Sequence, residues 1–523
     1  PHTITQHQAK RTMIQAAVRL SLSCKGVLRK MPRAFASPPV HHTHTSAQTR
    51  SHVHVAPRTE LDFGNVNWVF RHKTTRELMR GLLVLHACAV DPLVTHSYKL
   101  MKFGQRLMGE RVLGLLMAPF YYQFVAGNTE AELGRVSGIL ADVGVRLMVA
   151  PMLETDLGEG VDEQEMYLRN LTKTLLLVGQ SRRQSVLGGS RPVCQTKMTA
   201  HLTADVLKRV SDAYQSLSLE GKVKAVATLG DLMVEEVKAK GSSSSSSPSV
   251  KRLLLSLPLQ ETDAQRLISC LPRLHQLGAA CRDDGVVLAV DAEWTYTNPA
   301  INLMTLALMH IFNRGEAGEI VRPVIWNTYQ GYLKAAVENL QEDLAVASLL
   351  GSDVSFGAKL VRGAYMERER AWAAEQGHPD PVNDTYEDTC TVYNRMVRVM
   401  LEEVARAGAA AKLQGTASSR AVMVATHNEE SVVRAAELVG RLGLDPQGGD
   451  VVFAQVYGMA ENISVPLAAA GFLVYKSVPV GTVGEVLPYL SRRAAENRAV
   501  MRGARRERQL LAKELAARVT RRG

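Results

Sequence analysis

The stretch FGAKLVRGAYM, residues 356–366, decides the fold. Gly357, Ala358, Leu360 and Val361 are small or apolar, as in a buried strand, yet Lys359 stands among them. Side chains alternate across a strand, so Leu360 points one way while Lys359 and Val361 point the other. If both faces are covered, the ammonium lies inside the protein, where it needs a partner or a shifted pKa. In Arg362-Gly363-Ala364-Tyr365, two small residues would let a flat ligand approach the backbone, and Tyr365 would form a wall. These features suggest a cofactor pocket; a lysine snorkelling from a strand end accounts for the stretch equally well.

Working outward, the same kind of run recurs. GVRLMVAPM, VCQTKMTA, GVVLAVDAE, RPVIWNTYQ, FGAKLVRGAY, AVMVATHN, VVFAQVYGM and GFLVYKSVPVG are eight short apolar runs separated by amphipathic helices. Strand then helix, eight times, predicts an α/β protein whose parallel sheet closes into a (β/α)8 barrel over residues 143–515. Helix signals punctuate it: Thr385-x-x-Asp388 opens a helix ending near Gly408, Asn428 precedes another, and Gly471 stops a third. Residues 60–142 read as a helical arm, with a capping box at Thr129-x-x-Glu132. GSSSSSSPS at 241–249 and AAAKLQGTASSR at 409–420 read as solvated insertions, and 516–523 as a basic tail. No G-x-G-x-x-G or P-loop occurs, which argues against a Rossmann domain and a nucleotide triphosphatase.

Barrel active sites gather at the carboxyl ends of the strands, so the polar residue closing each run is informative. Those residues are Lys197, Asp291, Asn327, Lys359, Thr426 with His427, and Ser477. After the last strand, Thr482-x-x-Glu485 opens a helix carrying Arg492, Arg493 and Glu496. Two adjacent guanidiniums suit a carboxylate, and Glu496 can hold them in place. Singly, each residue has an ordinary reading: Asp291 as a helix cap, His427 as a core histidine, the arginines as a solvated face like RGARRERQ after residue 501. Ordinary strand ends do not require charge at so many turns of one barrel.

The chain has 523 residues, 46% hydrophobic and 22% charged, a globular composition. Its formal charge of +11 is concentrated at one end: residues 1–59 hold nine Lys/Arg and no Asp/Glu, leaving 53 basic against 51 acidic residues. No basic patch interleaved with aromatics follows, which argues against nucleic-acid binding. The acid-free segment includes the amphipathic MIQAAVRLSLSCKGVLRKM (13–31), the composition of an organellar transit peptide, or of a disordered basic tail. Its seven histidines lack cysteine or carboxylate company, and six scattered cysteines form no zinc or disulfide pattern. The longest apolar stretch, residues 112–127, is interrupted by Gly, Pro and Gln and falls short of a bilayer span, so a soluble or peripheral protein is expected.

VDAEWTYTNPAIN (290–302), NTYQGYL (327–333), GAKLVRGAYMERERA (357–371), ATHNEESV (425–432), GMAENIS (458–464) and YKSVPVGTVGEVLPYLSRRAAENR (475–498) together resemble proline dehydrogenase. With FYYQFVAGNTEAE, the resemblance runs from about residue 60 to 515. It implies a distorted (β/α)8 barrel with noncovalent FAD, oxidation of L-proline to 1-pyrroline-5-carboxylate by hydride transfer to flavin N5, and electrons passed to membrane ubiquinone. It further implies a mitochondrial enzyme, peripheral to the inner membrane on its matrix side. By position, the substrate carboxylate falls to Arg492 and Arg493, with Lys197 a further charged substrate-side residue. Asp291 matches a pocket aspartate and Lys359 a basic residue over the flavin. Asn327, Arg362, Gly363, Ala364, Thr426 and His427 match flavin contacts, and Tyr365 and Val456 residues enclosing the proline ring. Ser477 occupies a position that is tyrosine in some relatives, which leaves more room and puts rejection of hydroxyproline in doubt. Trp294, Ala454, Tyr457 and APMLETD (150–156) depart from the family pattern without removing a charged position. Hydroxyproline is the rival substrate; a Schiff-base lyase using Lys197 or Lys359, or a barrel kept only for interactions, are the rivals of other classes.

Overall fold

In the computed structural model, the described residues are 61–153, 163–183, 191–238, 247–315, 321–414, 419–496 and 498–520. The transit-peptide expectation lies outside them. All eight runs form strands: β1 (Val145–Pro151), β2 (Val193–Thr196), β3 (Val287–Val290), β4 (Ile325–Gln330), β5 (Phe356–Val361), β6 (Arg420–Ala425), β7 (Val451–Val456) and β8 (Leu473–Val480). They pair in parallel in chain order and close into a barrel, β8 meeting β1 in register from Val145↔Val474 to Pro151↔Val480.

Alternation then sorts the side chains. Met148, Val193, Ala289, Trp326, Met423, Val452 and Tyr475 pack together inside the barrel, while their strand neighbours join the larger core beneath the helices. Trp326 fills much of this interior, and its Nε1 donates to the Pro323 carbonyl at 2.7 Å. Gly357 on the next strand is small because a Cβ there would run into the Trp326 indole. The interior is therefore closed below, and its polar positions collect at the carboxyl end.

The arm comprises helices Val66–Val69, Thr75–Ala87, Asp91–Thr95, Ser97–Phe124 and Glu130–Ala141; the last begins with the expected Thr129/Glu132 capping box. It is not a separate body. Val69, Phe70, Leu78 and Leu85 share a core with Met459 of the barrel and Leu511 of the C-terminal helix Arg498–Thr520. The expected basic tail is corrected here: 516–520 continue that helix, and Arg518 pairs with Glu514 at 2.7 Å and donates to the carbonyls of Lys73 and Phe70. Nor is RGARRERQ simply solvated, since Glu507 is buried and accepts from the Ala460 amide at 2.9 Å.

Two further expectations need correction. The helix opened at Thr385 runs past Gly408 to Gln414, because Ala409–Ala411, Lys412 and Leu413 are good helix formers, so the expected insertion is helical over 409–414. Among the described residues between β2 and β3 stand four α-helices, Ala204–Gln215, Leu219–Lys238, Ser247–Leu254 and Glu261–Asp283, where a simple repeat needs one. The Ser-rich stretch lies outside the described residues up to 246; Ser247-Pro248 then starts a helix, with proline in the first turn.

Candidate active site

The parity that places Trp326 inside the barrel also places Gln195 and Lys197 of the β2 end, Asp291 after β3, Lys359 on β5, Val456 on β7 and Ser477 on β8 at its mouth. Lys359 is 4% exposed, as expected of the interior ammonium, and it is partnered. Its Nζ donates to Asp291 Oδ1 in a very close contact and to Gln195 Oε1 at 3.1 Å. Lys197 Nζ stands 3.8 Å from the other Asp291 oxygen. Gln195 Nε2 in turn donates to Ser477 Oγ at 2.8 Å. One polar chain, Lys197, Asp291, Lys359, Gln195, Ser477, thus crosses the mouth through four strands and their ends.

Gln195 was not among the residues singled out from sequence, although its parity with Lys197 on β2 is the signal that finds it. Glu293 was also missed. It is buried and accepts from the Thr199 amide and hydroxyl at 3.1 and 2.6 Å, while its carbonyl accepts from Gln330 at 3.1 Å. These bonds fix the loop after β3, so Asp291 and Trp294 are held on a tied backbone. Trp294 lies 4.8 Å, ring to ring, from Tyr365, with Arg368 5.9 Å above the indole. Tyr365 therefore belongs to an aromatic cluster with Trp294.

The expected flavin contacts divide. Asn327 turns away from the mouth: it is 0% exposed, and its Nδ2 donates to Asn302 at 3.0 Å and to Tyr329 Oη at 3.2 Å in the layer between β4 and the helices. The even step from Trp326 decides this, since Thr328 and Gln330 face the barrel in its place. Arg362 Nε donates to Thr426 Oγ1 at 3.1 Å and Nη2 to Ser431 at 2.8 Å, with the guanidinium 4.9 Å from the Tyr393 ring centre. It braces β5 against β6. Gly363 has φ 118°, and a Cβ there would collide with the Tyr332 ring, so its smallness serves that packing first and ligand approach second. Ala364 follows it at the same turn.

His427 Nε2 accepts from the Val456 amide at 2.9 Å, which leaves the proton on Nδ1. Burial, helped by the nearby Lys476 charge, lowers its pKa to about 3, so the imidazole is neutral at physiological pH. The helix after β8, Val483–Glu496, starts as predicted, with Thr482 N donating to Glu485 at 2.7 Å. Arg492, Arg493 and Glu496 fall in its last turns; their side chains lie outside the described part of the structure.

A closed eight-stranded parallel barrel with a charged network at its carboxyl end defines a (β/α)8 enzyme scaffold. The chain belongs to the proline dehydrogenase family, whose profile matches residues 179–506. It is 38% identical to hydroxyproline dehydrogenase of Bos taurus over 467 residues, covering 87% of this chain and 93% of that one. Hydroxyproline dehydrogenase of Homo sapiens is also 38% identical, over 457 residues, covering 85% and 91%. Proline dehydrogenase 1, mitochondrial, of Homo sapiens is 34% identical over 561 aligned positions, covering 88% and 90%. In fold, the chain is similar to proline utilization A from Bdellovibrio bacteriovorus inactivated by N-propargylglycine, with TM-score 0.52 and 17% identity over 84% of this chain and 40% of that longer one.

Proposed function

We propose that the chain is an FAD-dependent dehydrogenase of cyclic imino acids that oxidises the ring C–N bond of trans-4-hydroxy-L-proline in preference to L-proline. The observation carrying this choice is Ser477: a small hydroxyl at the mouth, oriented by Gln195 at 2.8 Å, where a ring substituent finds both room and a polar partner. The similarity to enzymes named hydroxyproline dehydrogenase, at 37–38% identity, against 34% for the human proline dehydrogenase, supports the same choice.

The donor set suits a flavin. Lys359 offers positive charge at the mouth, Thr426 a hydroxyl, His427 an Nδ1–H, and Arg362, Gly363 and Ala364 the backbone of a tight turn; Asn327 is not included, because its side chain is committed behind β4. When bound, FAD supplies the two-electron acceptor for the hydride removed from the ring carbon beside nitrogen. The protein's own part is alignment and charge. Arg492 and Arg493 bind the substrate carboxylate, supported by Glu496. Lys197 and Asp291 face the same substrate, and Tyr365 and Val456 enclose its ring. Asp291 fixes Lys359, and Gln195 links that ammonium to the residue facing the substituent.

Lys359 is a poor Schiff-base nucleophile, because Asp291 and Gln195 hold its Nζ as a donor. Electrons pass on to ubiquinone at the mitochondrial inner membrane, a localisation supported by the acid-free basic segment 1–59 and by the mitochondrial relative. Steady-state turnover with an artificial acceptor tests the substrate: kcat/KM for trans-4-hydroxy-L-proline should exceed that for L-proline by about tenfold or more. Ser477→Tyr should narrow or reverse that ratio. A wild-type preference for L-proline contradicts the assignment.

A further inference from the structure

Between β7 and the helix Glu461–Ala469 the chain turns at the barrel mouth over residues 456–460. The turn begins at Val456, which pairs with Ser477 on β8, and ends at Ala460. Among the described residues Ala460 is the only non-glycine with a positive φ, 56° with ψ 37°. Its Cβ makes that left-handed conformation costly, so the turn keeps it only because its surroundings hold it there. Gly458 has φ 80°, and a Cβ there would lie 2.0 Å from the Gln123 carbonyl oxygen, so the arm packs directly on the turn.

The hold is made by hydrogen bonds to the backbone. Four side chains from four separate elements serve this one turn. His427, after β6, accepts from the Val456 amide at 2.9 Å. Lys476 on β8 donates to the Val456 carbonyl at 3.4 Å and, in a closer contact, to that of Met459. Gln123 of the Ser97–Phe124 helix donates to the Gly458 carbonyl at 2.7 Å. Glu507 of the C-terminal helix accepts from the Ala460 amide at 2.9 Å, and of the four it is the one bonded to the strained residue itself. Ala460 and Glu507 are both buried, so the amide deprived of this acceptor would bear the full cost of its burial.

We infer that Glu507 is a positioning residue of the active site: by fixing Ala460 in its left-handed conformation it sets the turn after β7, and through it Val456, against the substrate ring. The inference rests on the proposed place of Val456 beside that ring. Glu507 also lies near Lys73 and Lys476, so charge balance is the rival role. The two roles separate by substitution. E507Q removes the charge and keeps an acceptor oxygen at the same reach; E507D keeps the charge and draws it back from the Ala460 amide by one methylene.

The test compares the full-length wild type, E507Q, E507D and E507D/A460G, each with added FAD, by steady-state kinetics with an artificial acceptor and by amide hydrogen exchange. E507D should raise KM for the imino acid about tenfold with kcat within about twofold, because Val456 encloses the bound ring and takes no part in hydride transfer. Exchange in peptides covering residues 456–460 should quicken about tenfold while β3 and β4 keep wild-type protection. E507Q should match the wild type in both measurements. E507D/A460G should return KM to within about threefold of wild type, since glycine adopts the left-handed conformation without the steric cost. Impaired E507Q beside intact E507D would assign Glu507 to charge balance and overturn the inference, as would unchanged KM in E507D or exchange raised evenly through the barrel. If neither imino acid is turned over, the proposed function fails; exchange localised to the turn in E507D then still supports the hold of Glu507 on it, and its absence overturns that hold.

Discussion

At the scale of single residues, Lys359 and Asp291 form the pair on which the site turns. Each charge at the barrel mouth is tolerated because the other is in contact with it, and Gln195 Oε1 accepts a further hydrogen bond from Lys359 Nζ at 3.1 Å. Removing one partner leaves the other without its principal counter-charge. Lys359→Met and Asp291→Asn should each destabilise the fold by about 3 kcal/mol, and the double variant by less than their sum, with a coupling of about 1–3 kcal/mol. Thermal or chemical denaturation of the four proteins measures this. Additive losses would mean that the two groups do not act as a pair. The anomaly was legible in the sequence, because a lysine within an apolar run must either meet a buried counter-charge or escape to solvent at the strand end. Gln195 leaves no such anomaly of its own, because an amide in a strand is ordinary; only its parity with Lys197 points to it.

At the scale of elements, period-2 alternation carried most of the information, and its neglect caused the main error. Asn327 closes an apolar run but sits one step out of phase with Trp326, so it belongs to the layer between β4 and the helix Ala336–Leu350. There Tyr329 Oη donates to Asp343 at 2.7 Å, and burial raises the Asp343 pKa to about 7, opposed by the Tyr329 hydrogen bond and reinforced by Glu342. A carboxyl raised in the folded state from 3.8 contributes stability that is complete below that value and lost as pH rises through 7. Relative to Asp343→Asn, the wild type should lose about 2 kcal/mol between pH 5.5 and 8, measured by urea denaturation at the two pH values. A constant difference would show that Asp343 titrates normally. The eight strands were readable because each is a short apolar run between turn signals. The four helices between β2 and β3 were not, since helical periodicity says nothing of how many helices a crossover holds.

At the scale of the whole molecule, the arm and the C-terminal helix are tied to the barrel. Glu461 receives Lys73 from the arm at 3.0 Å and lies 3.8 Å from Lys476 of β8. Burial alone would raise its pKa, but these two cations hold it down to about 2. Leu511 of the C-terminal helix completes the apolar cluster beside this ionic contact. Arm, barrel and C-terminal helix should therefore unfold together: Leu511→Ala should lower stability by about 2–4 kcal/mol within a single calorimetric transition. A separate low-temperature transition would mark the arm and C-terminal helix as an independent unit. None of this joining was visible in sequence, where residues 60–142 read as a preceding arm and 516–523 as a basic tail, because contacts between segments far apart in the chain leave no local pattern.

The central proposal is that flavin is reduced here by a cyclic imino acid. The visible spectrum of the purified protein under anaerobic conditions tests it most directly. The account predicts a yellow protein whose flavin band bleaches on addition of trans-4-hydroxy-L-proline, and more slowly with L-proline. A protein that stays colourless after added FAD, or a yellow one that neither compound bleaches, would contradict it.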